Sequence, residues 1–145
     1  LLATIQRVSE ARVSIEGKIF SEIGPGLVIF VCFEKDDSME SIASMVGKII
    51  NFKMLDGFKE SKPCSLKDAN EEALVVSQFT LAAITNKGNK PSFHKSAKPE
   101  EAKLMYDEFM SLFERSYGNV KQGKFGAFME ISLINKGPIT FNFKT

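Results

Sequence analysis

The sequence predicts an α+β fold, one domain over residues 1–145, with a mostly antiparallel, barrel-like sheet and two main helices. Three observations carry this. The run Leu27-Val28-Ile29-Phe30-Val31-Cys32-Phe33 is apolar throughout, the pattern of a strand covered on both faces. Two segments with helical spacing follow it, one from Ser38 and one from Pro99. Near the end, Ile139, Phe141 and Phe143 alternate with Thr140, Asn142 and Lys144, the period of a half-buried strand.

The elements can be justified in order. Ala3 to Ile15 alternates loosely and passes through Glu16-Gly17 into Lys18-Ile19-Phe20, which reads as a long strand turning through a glycine-containing hairpin. Gly24-Pro25-Gly26 interrupts the chain before the apolar run. Asp36-Asp37-Ser38 supplies N-cap chemistry, and Ile42, Val46, Ile49 and Ile50 recur at helical spacing to about Asn51. Residues 56–70 are polar and turn-rich, a loop with at most one short strand. Ala73 to Leu81 reads as the next strand, and Thr85 to Lys98 as a long loop of the kind that commonly carries function.

Pro99-Glu100-Glu101 opens the second helix, with proline suited to its first turn and the acids to its dipole. Ala102, Met105, Phe109, Leu112 and Phe113 form its expected buried stripe. Two strands close the chain, Phe128 to Ile134 and Ile139 to Phe143.

Composition narrows the function classes. With 19 basic and 18 acidic residues the net charge is +1, so any nucleic-acid contact must come from a local patch. Cys32 and Cys64 are too few for a disulfide framework or a zinc site; no metal and no cofactor are expected. Cys32 reads as a small core residue. No apolar stretch is long enough to cross a bilayer, and no basic-then-apolar leader precedes the first strand, so a cytoplasmic location is the expectation.

Chemistry concentrates in a few places. Ser77-Gln78-Phe79-Thr80 puts hydroxyls, an amide and successive backbone N–H groups at a strand end. Such N–H groups can point at a developing oxyanion, and Thr80 could serve as nucleophile or hold water. Equally, Ser77 and Thr80 can simply satisfy the end of a sheet. Between Ala73 and Pro99 there is no acidic residue, while Lys87, Lys90, Lys95 and Lys98 all fall there: either an ordinary solvated loop or an RNA or phosphate contact.

His94, the only histidine, is a general-base candidate or a plain surface residue. Counting by two from Ala3 and Ile5 places Arg7 on a core-facing row, where its guanidinium must find carbonyls or a carboxylate, unless the strand has already left the core at that point. Gly137-Pro138, just before the last strand, has the composition of a turn.

Taken together and in this order, Ile5-Gln6-Arg7-Val8, Gly24-Pro25-Gly26-Leu27, Ser77-Gln78-Phe79-Thr80-Leu81, Lys90-Pro91-Ser92-Phe93, Gly123-Lys124-Phe125-Gly126, Met129 and Asn135-Lys136-Gly137-Pro138-Ile139-Thr140 closely resemble the D-aminoacyl-tRNA deacylase family. The resemblance runs nearly end to end. It implies a homodimer with active sites at the subunit interface, each acting on the acceptor end of an aminoacyl-tRNA without metal or cofactor.

Ser77, Gln78, Phe79 and Thr80 would line one wall of each site, with Met129 close by. Gly137-Pro138, expected in cis, would reach across from the partner as a chiral filter, held in orientation by Arg7. Lys87, Lys90 and Lys95 would lie near the tRNA. The implied reaction is hydrolysis of D-aminoacyl-tRNA, with glycyl-tRNA mischarged on tRNA(Ala) a further substrate. Two alternatives stand beside it: a nucleic-acid-binding dimer without catalysis, and a related deacylase acting on a mischarged L-aminoacyl-tRNA.

Overall fold

The computed structural model describes residues 1–56 and 62–145. Its organising element is one long strand, against which three others pair. Strand β1 (Leu2–Ile15) turns through Glu16-Gly17, both with positive φ, into β2 (Lys18–Ile23), and the chain continues past Gly24-Pro25 into β3 (Gly26–Cys32). Both β2 and β3 run antiparallel to β1 on the same side, from Ile15↔Lys18 to Leu2↔Cys32.

The side chains of β3 divide between two cores, as a run buried on both faces must. Leu27, Ile29 and Val31 join the larger cluster beneath the helices, and Val28 joins a second cluster with Val8, Ala11 and Val13.

Helix α1 (Met39–Asn51) begins where its cap chemistry dictates: the Ser38 hydroxyl accepts from Ser41 N–H, and the Ser41 side chain accepts from Ser38 N–H. Ile42, Met45, Val46, Ile49 and Ile50 are its buried face. The segment expected to be loop after it is more structured than its polarity suggests, although 57–61 lie outside the described residues. Short strands β4 (Leu55–Asp56) and β5 (Pro63–Cys64) pair with each other, and a one-turn helix α2 (Leu66–Ala69) follows. Ser65 and Asp68 cap that turn reciprocally, and the Ser65 hydrogen bonds hold the Asp68 carboxyl below its ordinary range. A single turn has no periodicity to read, which is why composition missed it.

Strand β6 (Glu72–Ser77) lies parallel to β3 and stops earlier than expected. Gln78 N–H donates to the Val31 carbonyl, β3 ends at Cys32, and the chain turns into a 3₁₀ helix, Phe79–Ala82, in place of the strand expected to reach Leu81. Gly26 makes the β3–β6 contact possible. A Cβ there would lie 1.8 Å from the Glu72 carbonyl oxygen.

Helix α3 (Pro99–Ser116) starts with proline in its first turn, as its sequence requires. Its buried centre is Tyr106, Phe109, Met110 and Phe113, rotated slightly from the expected stripe; Ala102, Met105 and Leu112 flank it. Tyr106 Oη donates to the Val75 carbonyl at 3.2 Å, docking the helix on β6. An additional strand, β7 (Val120–Gln122), runs parallel to β6. Ser21 Oγ donates to the Gln122 carbonyl and Lys121 Nζ to the Glu22 carbonyl, which brings β7 back towards β2 and nearly closes the sheet. The sheet is therefore mixed, parallel at β3–β6–β7 and antiparallel elsewhere.

The two closing strands of the sequence are one, β8 (Glu130–Lys144), paired with β1 over nearly its whole length. Register slips between Gln6 and Val8 of β1. Gln6 faces Thr140 and Val8 faces Asn135, so residues 136–139 bulge out of the ladder opposite Arg7. Gly137-Pro138 thus occupies a strand bulge, not a turn between strands.

Candidate active site

The chain end of β6, the first turn of the 3₁₀ helix and the segment before β8 enclose a cleft of about 660 Å³. Ser77, Gln78 and Phe79 form one side, and Phe125, Phe128 and Met129 another. Ser96, Lys98, Pro99 and Ala102 complete the wall nearest α3. Each is placed for a local reason. Ser77 ends a strand whose partner stops beside it, Met129 packs against the second core cluster with Val8, Ala11 and Val13, and the centre of the Phe125 ring rests 5.5 Å from that of Tyr106.

The lining is largely apolar and aromatic, with polar groups confined to the Ser77–Gln78 and Ser96–Lys98 sides. A cavity of that kind suits a ligand with a flat apolar part and one polar reacting centre. Two aromatic side chains at its mouth are open to solvent: Phe128 is 88% exposed and Phe79 60%.

Thr80 stands just outside. Its side chain is exposed, it does not line the cleft, and its hydroxyl accepts a hydrogen bond from Gln78 Nε2. Cys32 does line it, at the floor, buried to 1% exposure. Burial raises its pKa, so it remains a thiol, and Sγ donates to the Phe79 carbonyl at 3.4 Å. The sequence reading missed Cys32, Ser96 and Phe128. Cys32 sits inside an apolar run that hides it, and Phe128 reads as the start of a strand, whereas β8 begins only at Glu130 and leaves Phe128 at the cleft.

Arg7, Gly137 and Pro138 do not line this cleft. They form a second constellation at the β1–β8 bulge. Arg7 Nε donates to the Lys136 carbonyl at 2.9 Å, and the guanidinium pairs with Asp56 at 2.7 Å and reaches the Met54 carbonyl at 3.4 Å. The Gly137-Pro138 peptide bond is cis, and residues 134–138 are exposed. Gly137 has φ +129°, and a Cβ on it would lie 2.9 Å from both Arg7 Nη2 and Ile139 Cγ1. Only glycine fits there.

Of the lysines, Lys87, Lys90 and Lys95 are exposed and outside the cleft wall, whereas Lys98 lines it. His94 is exposed and shares a hydrogen bond of 2.8 Å with Ser92 Oγ. Among the described residues, no three His, Cys, Asp or Glu side chains gather to hold a metal ion, and no helix is long and apolar enough to cross a membrane.

Comparison with known proteins adds an independent line. The family model described as D-Tyr-tRNA(Tyr) deacylase matches residues 4–144. A D-aminoacyl-tRNA deacylase of Francisella tularensis subsp. tularensis (strain WY96-3418) is 42% identical over 144 residues, covering 99% of each chain. One from Flavobacterium psychrophilum is 48% identical over 137 residues, covering 94% of this chain and 91% of its own. Among solved structures, a c-Myc DNA Unwinding Element Binding Protein superposes with a TM-score of 0.95 at 34% identity, covering 100% of this chain and 99% of its own.

Proposed function

Because the chain belongs to the D-Tyr-tRNA(Tyr) deacylase family, we propose that it hydrolyses the ester of D-aminoacyl-tRNA, with the cleft beside Ser77-Gln78-Phe79 as the reaction site. The observation that carries this reading is the meeting of that segment with Met129 around one aromatic-walled cleft, although some fifty residues separate them in sequence.

In the proposed reaction, water adds to the ester carbon, the bond to the terminal ribose oxygen breaks, and a proton returns to that departing oxygen. Backbone N–H groups of Phe79 and Thr80 stabilise the oxyanion, and no acyl-enzyme forms. The 2′-hydroxyl of the terminal adenosine assists the water, so the chain supplies donors and shape where other hydrolases supply a base. Gln78, hydrogen bonded to Thr80, orients this edge.

Handedness, on this reading, is set by a second copy of the chain. The bulge carrying Gly137-Pro138 is exposed and does not line its own cleft, while Phe79 and Phe128 leave the cleft mouth uncovered. A two-fold dimer that docks the bulge into that mouth would present main-chain oxygens to the substrate's α-amino group. A D-residue fits beneath them, as does glycine, which makes glycyl-tRNA(Ala) a second substrate; an L side chain collides. Lys87, Lys90 and Lys95 then meet the acceptor stem, in the cytoplasm where charged tRNA is used.

The test is ester release from D-tyrosyl-tRNA, with L-tyrosyl-tRNA as control, alongside the mass of the protein in solution. Rapid release from the D-ester alone, by a dimer, is the expected result. Equal turnover of both esters, or none of either, overturns it. The likeness to a protein named for DNA-element binding favours one rival, a non-catalytic nucleic-acid-binding dimer using the same lysines. Tight RNA or DNA binding without ester release would establish that rival.

A further inference from the structure

Phe79 offers its carbonyl oxygen to two side-chain donors from different parts of the chain. Cys32 Sγ, at the end of β3, lies 3.4 Å away, and Ser96 Oγ, on the loop before α3, also lies 3.4 Å away. The reaction outlined above uses neither side chain. The loop that carries Ser96 is itself anchored: Lys35 N–H donates to the Lys95 carbonyl at 3.2 Å, and Ala97 N–H to the Phe33 carbonyl at 3.0 Å. It presses on Phe79 a second time through Phe93, whose ring meets the Phe79 ring at 5.2 Å.

We propose that Cys32 and Ser96 are positioning residues, which aim the Thr80 N–H by gripping the carbonyl of the preceding residue. The physical link is the peptide plane. The Phe79 C=O and the Thr80 N–H belong to one rigid unit and point in opposite directions when that unit is trans. Donors that hold the oxygen on one side therefore fix the N–H on the other, and rotating the plane would break both contacts. A hydrogen-bonded carbonyl also polarises the N–H it is conjugated with, making it a stronger donor to a developing negative charge. The buried thiol suits this task, because a protonated sulfur can donate where a thiolate could not.

The inference rests on the reading of Thr80 N–H as an oxyanion donor, and the experiment separates the two. Cys32→Ala and Ser96→Ala are compared with wild type for kcat and KM on D-tyrosyl-tRNA, and for the NMR order parameter of the Thr80 amide in the free protein. Each variant should lower kcat roughly three- to ten-fold, the size of one ordinary hydrogen bond expressed as a rate ratio, with KM within about two-fold. Cys32→Ser, which restores a donor, should recover kcat to within about two-fold of wild type. The NMR order parameter of the Thr80 amide should fall in both alanine variants, because the peptide plane is no longer held.

Ser96 lies on a half-exposed loop, so its variant reports even if the buried Cys32 change disturbs folding. Wild-type kcat in Ser96→Ala and in folded Cys32→Ala, or a loss confined to KM, overturns the proposal. If wild-type protein releases neither ester, the deacylase reading fails separately. The amide then decides: a lower order parameter supports the positioning role, and an unchanged one in both variants sinks it.

Discussion

Arg7 Nε donates to the Lys136 carbonyl at 2.9 Å, at the place where β1 and β8 lose register. The same guanidinium is paired with Asp56 and touches the Met54 carbonyl, so one side chain, 14% exposed, links the bulge to β4. Arg7→Ala removes all three contacts and leaves the longer Lys136–Asp56 pair at 3.4 Å in place. The expected outcome is a fall of about ten-fold or more in kcat/KM for the D-ester, with the proposed dimer intact by sedimentation, because misplacing a positioning group by a fraction of an ångström is costly. Arg7→Lys should rescue little, since an ammonium cannot reproduce the planar fork. Wild-type kinetics for Arg7→Ala would remove it from the site.

Thr80→Ala should keep substantial activity, within about ten-fold of wild type. The donor assigned to this position is main chain and survives the substitution, whereas losing a true oxyanion donor costs about 3 kcal/mol. The Thr80 hydroxyl is exposed and engaged by Gln78, not aimed into the cleft. Mass spectrometry after quenching a turnover should find no acyl group on the protein. A folded, inactive Thr80→Ala enzyme together with an adduct on wild-type Thr80 would transfer the chemistry to the hydroxyl.

Much of this architecture was legible in the residues, and the exceptions share a cause. Helices α1 and α3 were readable because cap chemistry, proline placement and 3.6-residue spacing agree with each other over many residues. The run from Leu27 revealed a strand covered on both faces for the same reason. Strands β4, β5 and β7 and helix α2 have four residues or fewer, so no pattern accumulates. The end of β6 was misplaced because Phe79 and Leu81 alternate as a strand would, while the actual stop is imposed by where β3 ends.

The candidate site divides likewise. Ser77, Gln78, Phe79 and Met129 lie around one cleft, with Thr80 just outside it. Cys32 was assigned to the core and is indeed buried, yet burial gave no hint that its sulfur reaches the Phe79 carbonyl. That contact depends on the turn from β6 into the 3₁₀ helix at Gln78, which local sequence does not encode.

Gly26→Ala should be among the most damaging single changes. The added Cβ would meet the Glu72 carbonyl oxygen at 1.8 Å and its carbon at 2.8 Å, both backbone atoms held in the β3–β6 ladder and unable to yield. A loss of about 3 kcal/mol or more is expected, lowering Tm by roughly 10 °C in a chain of this size. Gly47→Ala is the control. It lies on the exposed side of α1 with nothing within 4 Å of the new methyl, so it should be neutral or stabilising by up to about 1 kcal/mol. Equal melting of the two variants would show that the close approach at Gly26 relaxes at little cost.

Glu72 gives the fold an acid-sensitive tie. One carboxylate oxygen accepts from Gly24 N–H at 2.9 Å and the other pairs with Lys121 at 3.1 Å, joining β6 to the interruption between β2 and β3 and to β7. The Gly24 hydrogen bond, helped by Lys121 and opposed by partial burial, holds its pKa below the usual glutamate value. A folded-state pKa lower than the unfolded one means the stabilisation is complete above the unfolded value, about 4.3, and disappears as pH falls through the folded value. Glu72→Gln keeps an acceptor but loses the charge, so it should cost about 1 kcal/mol at pH 7, a figure reduced for the partial exposure of the pair. Urea denaturation at pH 7 and again near pH 3 tests this. The gap between variant and wild type should narrow at the lower pH, because the wild-type carboxylate is then taking up its proton. A gap of the same size at both pH values would mean that Glu72 acts through packing and not through its charge.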